Sequence, residues 1–402
     1  MIRVAITGLG VISAIGNNVS EYWDSLRQGQ SGIRPIETPG CDELRFRNGA
    51  EVPGYDPTAH FDEKQIPFVD RFAQFAVIAA REAVRDSSLE LTPGLRSEGA
   101  VITGACVGGQ NTSDEGFVSL YKQGKPRVNP LTIPRTMGNA GASHISMEFG
   151  LTGPGFNLST ACASAAHAIG LAFWLVRSGG APMAITGGSE APFSFGFLKA
   201  WEAMRVVSPT TCRPFCRDRN GMILGEGGAM MVLEPLEAAQ ARGARIYAEL
   251  CGFGMSSDAS HITHPSTQGP ALSMQRAVKD SNVNLSQVGY INAHGTGTEV
   301  NDVTEAEAIR EVFGAHADRV AVSSTKSMHG HALGAAAAME AAATVLALHH
   351  NVLPPTAHFT EIDPACQLDV IANQARAARV EYSMSNSFAF GGLNATLVFR
   401  HV

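Results

Sequence analysis

A cysteine set among very small residues is the first chemically informative feature of this chain. Cys162 lies in Asn157-Leu-Ser-Thr-Ala-Cys162-Ala-Ser-Ala-Ala-His-Ala-Ile-Gly170. A short strand-like run from Phe156 to Ser159 breaks at Thr160, and a helical pattern follows through Ile169, Leu171, Trp174 and Leu175. Cys162 is therefore expected at a strand-to-helix turn, beside the helix N-terminus. Unpaired backbone N–H groups and the positive end of the helix dipole favour a thiolate in such a place. The small neighbours Ala161, Ala163, Ser164, Ala165 and Ala166 leave room for a bulky thioester arm. A buried structural cysteine is the plain alternative.

Two histidine stretches lie in the second half. Tyr290-Ile-Asn-Ala-His294-Gly-Thr-Gly-Thr298 places His294 where an apolar strand gives way to a loop that includes Thr296 and Thr298. Ser324-Thr-Lys326-Ser-Met-His-Gly-His331 opens an alanine-rich helical stretch. Imidazole can donate, accept or titrate near neutrality, so two of them beside a thiolate suit proton transfer and oxyanion stabilisation. Helix-start N–H groups are expected to keep His331 neutral. Glu340 sits inside the apolar helix, where an unpaired carboxylate is costly. Lys326 is its expected partner, and the pair is expected to order both histidines. Finally, Ser385-Asn-Ser-Phe388-Ala-Phe390-Gly-Gly-Leu-Asn394 is a tight loop around two phenylalanines. A backbone N–H from it can join that of Cys162 as an oxyanion hole. A hairpin turn with core phenylalanines is the alternative.

Positioning these groups takes a large core. The 402 residues are 45% apolar and only 17% charged, enough to bury such a core and to exclude extensive disorder. A net charge of −7 argues against a nucleic-acid-binding body, and an anionic partner needs a local basic patch. The seven cysteines are odd in number and form no Cys-x-x-Cys pair. That argues for a reduced, cytoplasmic protein without a disulfide frame or structural zinc. The opening Met1-Ile-Arg-Val-Ala-Ile-Thr-Gly-Leu-Gly10 reads as a first strand and turn, not a signal peptide. Gly8 and Gly10 hint at a dinucleotide loop, but Ser13 stands where its third glycine belongs. Ala332 to Leu348 reads as a buried alanine-rich helix, too short and too interrupted by Glu340 to span a bilayer.

Strand patterns fall at residues 2–14, 100–106, 184–189, 229–233 and 395–399. Helical patterns fall at 20–27, with Ser20 as cap, at 69–86 and at 141–149. Residues 33–62 read as a long surface loop and 111–135 as an irregular basic segment. The order of elements then repeats. Ala244-Arg-Ile-Tyr-Ala-Glu-Leu-Cys-Gly-Phe-Gly254 echoes Arg3 to Gly10, and Ala321 to Lys326 with its helix echoes the strand and helix around Cys162. Alternating strands and helices imply an α/β fold. The echo implies two related halves, 1–243 with the cysteine and 244–402 with the two histidines.

Taken together, these motifs resemble the elongating β-ketoacyl-acyl-carrier-protein synthases of the thiolase superfamily. Thr160-Ala-Cys162-Ala-Ser resembles their nucleophile motif. Asn292-Ala-His294-Gly-Thr-Gly-Thr298, with Asp302 and Glu305, resembles the first histidine motif, and Lys326-Ser-Met-His-Gly-His331 the second. Asn386-Ser-Phe-Ala-Phe-Gly-Gly392 resembles the gating loop, and Arg213-Pro-Phe with Gly225-Glu-Gly the glycine-rich segment. The resemblance runs over nearly the whole chain, in order. It implies a five-layered αβαβα fold of two similar halves. It implies a dimer, either a homodimer or a heterodimer with a homologous condensing subunit.

The implied chemistry is decarboxylative Claisen condensation. Cys162 takes an acyl group, malonyl on an acyl carrier protein loses carbon dioxide, and the carbanion attacks the acyl-cysteine. His294 and His331 stabilise the enolate, and the N–H groups of Cys162 and Phe390 hold the oxyanion. No metal or organic cofactor is implied, and the substrates ride on the phosphopantetheine arm of the carrier. Val107 and Trp201 are expected along the acyl pocket, and Met137 is expected to reach into it from the other subunit. Lys64, Arg71, Lys125, Arg127 and Arg205 are the candidate docking patch for an acidic carrier protein. A chain-length-determining partner subunit is the alternative function, against which Cys162 speaks. Ala389, Leu393, Asn301, Cys216, Asn220 and His329 depart from the usual fatty-acid pattern. They point to a dedicated lipid, polyene or polyketide pathway.

Overall fold

The computed structural model describes residues 1–402. Eleven strands form one mixed sheet. In chain order they are β1 (Val4–Ser13), β2 (Ala100–Gly104), β3 (Gly155–Leu158), β4 (Ala184–Glu190), β5 (Gly227–Pro235), β6 (Ala248–Ser257), β7 (Val288–Asn292), β8 (Ala321–Ser323), β9 (Asp369–Val370), β10 (Tyr382–Ala389) and β11 (Leu393–Arg400). Across the sheet the order is β9-β8-β7-β10-β11-β6-β1-β5-β4-β2-β3. Outward from the β1–β6 contact, each side runs antiparallel, antiparallel, parallel, parallel, and the β6 side adds a further parallel pair, β8 with β9. β1 and β6 themselves meet over only three residue pairs, Val4–Leu250, Ala5–Glu249 and Ile6–Ala248.

Helices cover the sheet on both sides. Helix α1 (Arg71–Ser87) packs on β1, β5 and β4. Between it and the next come the nucleophile-side helix α2 (Ser164–Arg177) and α3 (Phe195–Met204). Then follow α4 (Gln268–Ser281), α5 (Glu299–Phe313) and α6 (Ala336–His350). Helices α2 and α6 touch each other and strands from both sides of the β1–β6 contact. They form the central layer of the five-layered αβαβα arrangement, with α1 outside one sheet face and α4 outside the other. The largest apolar cluster joins α2 and α6 to β1, β5, β6 and β11. Every residue of α6 from Ala336 to Leu348 is buried, as expected for an alanine-rich helix that lets layers approach closely.

The Gly-x-Gly pairs have a different role from the expected turn. β1 continues straight through Gly8 and Gly10 to Ser13. A Cβ on Gly10 would lie 1.9 Å from the Ala79 carbonyl oxygen, so the glycines let α1 rest on the strand backbone. Gly254 does the same in β6, where a Cβ would lie 2.1 Å from the Ser273 carbonyl oxygen of α4. The echo therefore records helix-on-strand contact. Other expectations also change. The helix expected at 20–27 runs Val19–Gln28 and is capped by Asn18, whose side chain accepts from Glu21 N–H, not by Ser20. Residues 33–62 are not all surface, because Leu44, Phe46, Ala50, Val52 and Phe61 are buried. The 111–135 segment holds helical turns at Gln110–Phe117, Val118–Lys122 and Thr132–Thr136.

Gly10→Ala should destabilise the fold by about 1–3 kcal/mol, the usual cost of forced overpacking. Urea unfolding of the two proteins measures it; an unchanged midpoint would mean that α1 can back away from β1.

Candidate active site

Cys162 lies just past the carboxyl end of β3, before α2 begins at Ser164. The connecting turn is strained: Ala161 has φ +47°, a region that costs a residue with a Cβ free energy. Ser164 braces it, its hydroxyl accepting from Thr160 N–H at 2.9 Å and donating to the Ala161 carbonyl at 2.6 Å. The thiol is only 8% exposed. Backbone N–H groups of Phe390 and of Cys162 itself are directed at the sulfur. Phe390 opens the tip of the β10–β11 hairpin, so the hairpin turn places its N–H beside the Cys162 sulfur.

Burial works against the expected thiolate. Burial pushes the Cys162 thiol up to about 11, and this outweighs Lys326 and the two N–H groups, which act in the opposite direction. Cys106 is also held as a thiol, by burial and by the nearby Glu190 carboxylate.

His294 follows β7, and its loop is pinned by two acids on α5. Glu305 accepts from His294 N–H at 2.9 Å and Gly295 N–H at 2.7 Å. Asp302 accepts from Phe215 N–H at 2.8 Å and Gly297 N–H at 3.2 Å. Burial pushes Glu305 up to about 7 against these N–H donors. These acids were visible in sequence only as part of a motif; their signal is a pair three residues apart, opening a helix after Gly-Thr-Gly-Thr. His331 is clamped by its main chain. Its N–H donates to the Ile223 carbonyl at 2.7 Å, and its carbonyl accepts from Gly225 N–H at 3.0 Å. This is the structural work of the glycine-rich segment.

Lys326 and Glu340 are fully buried and ion-paired. The Lys326 ammonium also donates to the His294 carbonyl at 2.7 Å and to His294 Nδ1 at 3.3 Å. Donation to Nδ1 leaves the ring proton on Nε2. The pair thus orders His294 directly, whereas His331 is held by backbone. Both imidazoles are kept neutral, first by burial and then by the positive charge of Lys326. Their rings meet edge to face, with centroids 5.5 Å apart.

The ligating atoms of Cys162, His294 and His331 lie within 4.8 Å of one another. One cavity of about 540 Å³ opens onto all three. Of the other expected residues, Trp201, Arg205, Thr296, Thr298, Phe388 and Phe390 line it. Val107 does not, and its N–H is held by Glu190 at 3.3 Å. Met137, expected to act from a second subunit, is 41% exposed on the surface of this chain. Lys64, Lys125, Arg127 and Arg205 are exposed. Arg71 is removed from the docking patch, because it is paired with buried Glu226 at 2.5 Å and packed over Tyr55 and Phe75.

Family comparison agrees with this site. Residues 1–239 match the family described as Beta-ketoacyl synthase, N-terminal domain, and residues 247–360 match Beta-ketoacyl synthase, C-terminal domain. The chain belongs to the β-ketoacyl synthase family. Nodulation protein E of Rhizobium sp. (strain N33) is 45% identical over 400 residues, covering 100% of this chain and 99% of the relative. The 3-oxoacyl-acyl-carrier-protein synthase 2 of Staphylococcus aureus (strain MRSA252) is 40% identical over 406 residues, covering 99% and 98%. Among solved structures, the ishigamide ketosynthase/chain length factor superposes with a TM-score of 0.94 at 36% identity, covering 100% of this chain and 99% of that one. The synthase is accordingly an acyltransferase with the thiolase-like fold. No helix in it is long and apolar enough to cross a membrane.

The raised thiol predicts how Cys162 reacts. Its alkylation by iodoacetamide should climb roughly tenfold per pH step between about pH 7 and about pH 9. Peptide mass spectrometry at Cys162 measures this; a plateau near neutrality would reveal a stabilised thiolate instead.

Proposed function

We propose that Cys162 is the acyl carrier of the condensation and that His294 and His331 drive decarboxylation. The observation behind this reading is the convergence of one thiol, two neutral imidazoles and the Phe390 N–H on one cavity. In the first half-reaction the Cys162 sulfur attacks an acyl thioester. The oxyanion rests on the N–H groups of Cys162 and Phe390. The carrier thiol leaves with the proton that Cys162 gives up.

In the second half-reaction malonyl thioester enters beneath Thr296 and Thr298. His294 Nε2–H and His331 donate to its carbonyl oxygen as enolate charge develops, and carbon dioxide departs. The enolate carbon then attacks acyl-Cys162, forming a carbon–carbon bond and releasing the cysteine. Lys326 and Glu340 act through His294 as positioning residues. Phe388 and Phe390 form the wall and the movable tip of the entrance. The reaction as written uses no metal and no organic cofactor.

The partners follow from the same reading. The substrates arrive on an acyl carrier protein, which docks on Lys64, Lys125, Arg127 and Arg205; Arg205 stands at the cavity mouth. A second condensing subunit, identical or homologous, covers the edge strand β3 and the exposed apolar residues Phe117, Tyr121, Ile133, Met147 and Phe156. An open strand edge with apolar surface calls for such cover. We read residues 1–243 and 244–402 as two halves, and the protein as cytoplasmic, its seven cysteines all free thiols. Its place is a specialised lipid, polyene or polyketide pathway. The chain-length-determining alternative is not favoured, because a complete nucleophile site is built.

His294→Ala should still acylate at Cys162 but lose carbon dioxide release from malonyl carrier protein by about 100- to 1000-fold. Cys162→Gln should show the reverse. Intact-protein mass and labelled carbon dioxide measure the two steps; loss of acylation alone in His294→Ala would make His294 the base for Cys162. A Lys125→Glu, Arg127→Glu double variant should weaken turnover with carrier-bound substrates while leaving that with free pantetheine thioesters intact. Equal rates on carrier substrates at low salt would move the docking patch elsewhere.

A further inference from the structure

The Lys326 charge acts on three buried histidines, and only two of them, His294 and His331, line the synthase cavity. The third, His329, closes the short helix Lys326–His329 and is fully buried. It is one of the departures from the fatty-acid pattern. Burial, helped by Lys326, pushes it down to about 3, so the ring is neutral. Its Nδ1 lies 2.8 Å from the Gly330 carbonyl oxygen, and its Nε2 lies 3.0 Å from the Thr325 hydroxyl. A carbonyl only accepts, so the single ring proton sits on Nδ1. The Thr325 hydroxyl then donates to Nε2, and it accepts in turn from the Asn292 side-chain amide at 3.4 Å. The tautomer of His329 is thus fixed from both ends.

The first of these bonds matters because of what Gly330 carries. Its carbonyl and the His331 N–H belong to one peptide group. The N–H donates to the Ile223 carbonyl at 2.7 Å, and the His329 imidazole is the only donor to the carbonyl. Gly330 has φ +69° and ψ −176°, a conformation that glycine adopts freely and that leaves the direction of the peptide to be set by its partners. The His331 ring has little else to orient it, because its Nδ1 is buried without a partner. His294 differs, with the Lys326 ammonium on its Nδ1. We propose that His329 is the positioning residue of His331. Its imidazole fixes the Gly330–His331 peptide, and that peptide fixes the direction from which His331 donates to the malonyl thioester oxygen. The two donors are then aimed by separate devices, His294 by Lys326 and His331 by His329.

This inference rests on His331 acting in decarboxylation. The test uses the whole synthase with malonyl carrier protein. Asparagine places an amide N–H close to where the His329 Nδ1–H stood, whereas glutamine places its amide nearer the Nε2 position. His329→Gln should lower kcat for carbon dioxide release by about 10- to 100-fold, the scale of a small misplacement of a reacting group. KM and the rate of Cys162 acylation should not change. His329→Asn should recover most of the loss. Undiminished carbon dioxide release in His329→Gln, equal losses in the two variants, or acylation that falls in step with carbon dioxide release would overturn the proposal. If neither variant folds, Thr325→Val decides, because it keeps His329 and removes the partner that fixes its tautomer. Slower carbon dioxide release with normal acylation supports the proposal there, and wild-type rates in both steps overturn it. His331→Ala is measured alongside. Undiminished carbon dioxide release in that variant would instead remove His331 from decarboxylation, the reading beneath the proposal.

Discussion

The active site depends on one buried cation. Lys326 has no contact with water, and three groups share its ammonium: the Glu340 carboxylate, the His294 carbonyl and His294 Nδ1. Removing one member of a buried pair typically costs about 3–5 kcal/mol, because the other charge stays behind uncompensated. That cost is tolerated because the cation does three jobs at once. It fixes the tautomer of His294. Its charge adds to burial in keeping the His294 and His331 imidazoles neutral. It also opposes the burial that holds Cys162 as a thiol. An apolar residue would spare the desolvation and lose all three effects.

The rest of the fold brings chain ends to that cation. Cys162 follows β3, His294 follows β7, Lys326 follows β8 and Phe390 follows β10. Each functional residue sits just beyond the carboxyl end of a parallel-paired strand, the usual place for sites in open α/β sheets. β3 and β8 occupy matching positions on the two sides of the β1–β6 contact. The central helices α2 and α6 follow those two strands. Close packing of α2 against α6 through alanines is therefore what lets a nucleophile from one side meet donors from the other.

Much of this was legible in the sequence, for identifiable reasons. Cys162, His294, Lys326 and His331 stood out because each combines a reactive side chain with a strand-to-helix break or a run of small residues. Glu340 stood out because a lone acid in an apolar helix must have a partner. Distances across the fold were not legible. Gly8 and Gly10 looked like a turn because their partner, the α1 backbone, lies some 70 residues away in the chain, beyond any local pattern. Arg71 looked like a free surface charge because Glu226 sits in a glycine-rich stretch with no periodicity to place it. The Glu305 and Asp302 contacts were hidden for the same reason: both acids bond backbone N–H groups, which sequence does not display.

The thiol shows how competing local and global effects are decided by size. A helix N-terminus offers a nearby anion about 0.3–1 kcal/mol, and up to about 2 kcal/mol when partly buried. Raising Cys162 from 9.0 to about 11 corresponds to about 3 kcal/mol favouring the protonated form. In this comparison burial outweighs the helix dipole and favours the protonated thiol. The consequence is an order of events. On the proposed mechanism, the sulfur becomes an effective nucleophile only when a thioester carbonyl occupies the Cys162 and Phe390 N–H groups and the leaving carrier thiol takes up the proton. Reactivity then appears together with the substrate, and stray electrophiles reach a protonated sulfur.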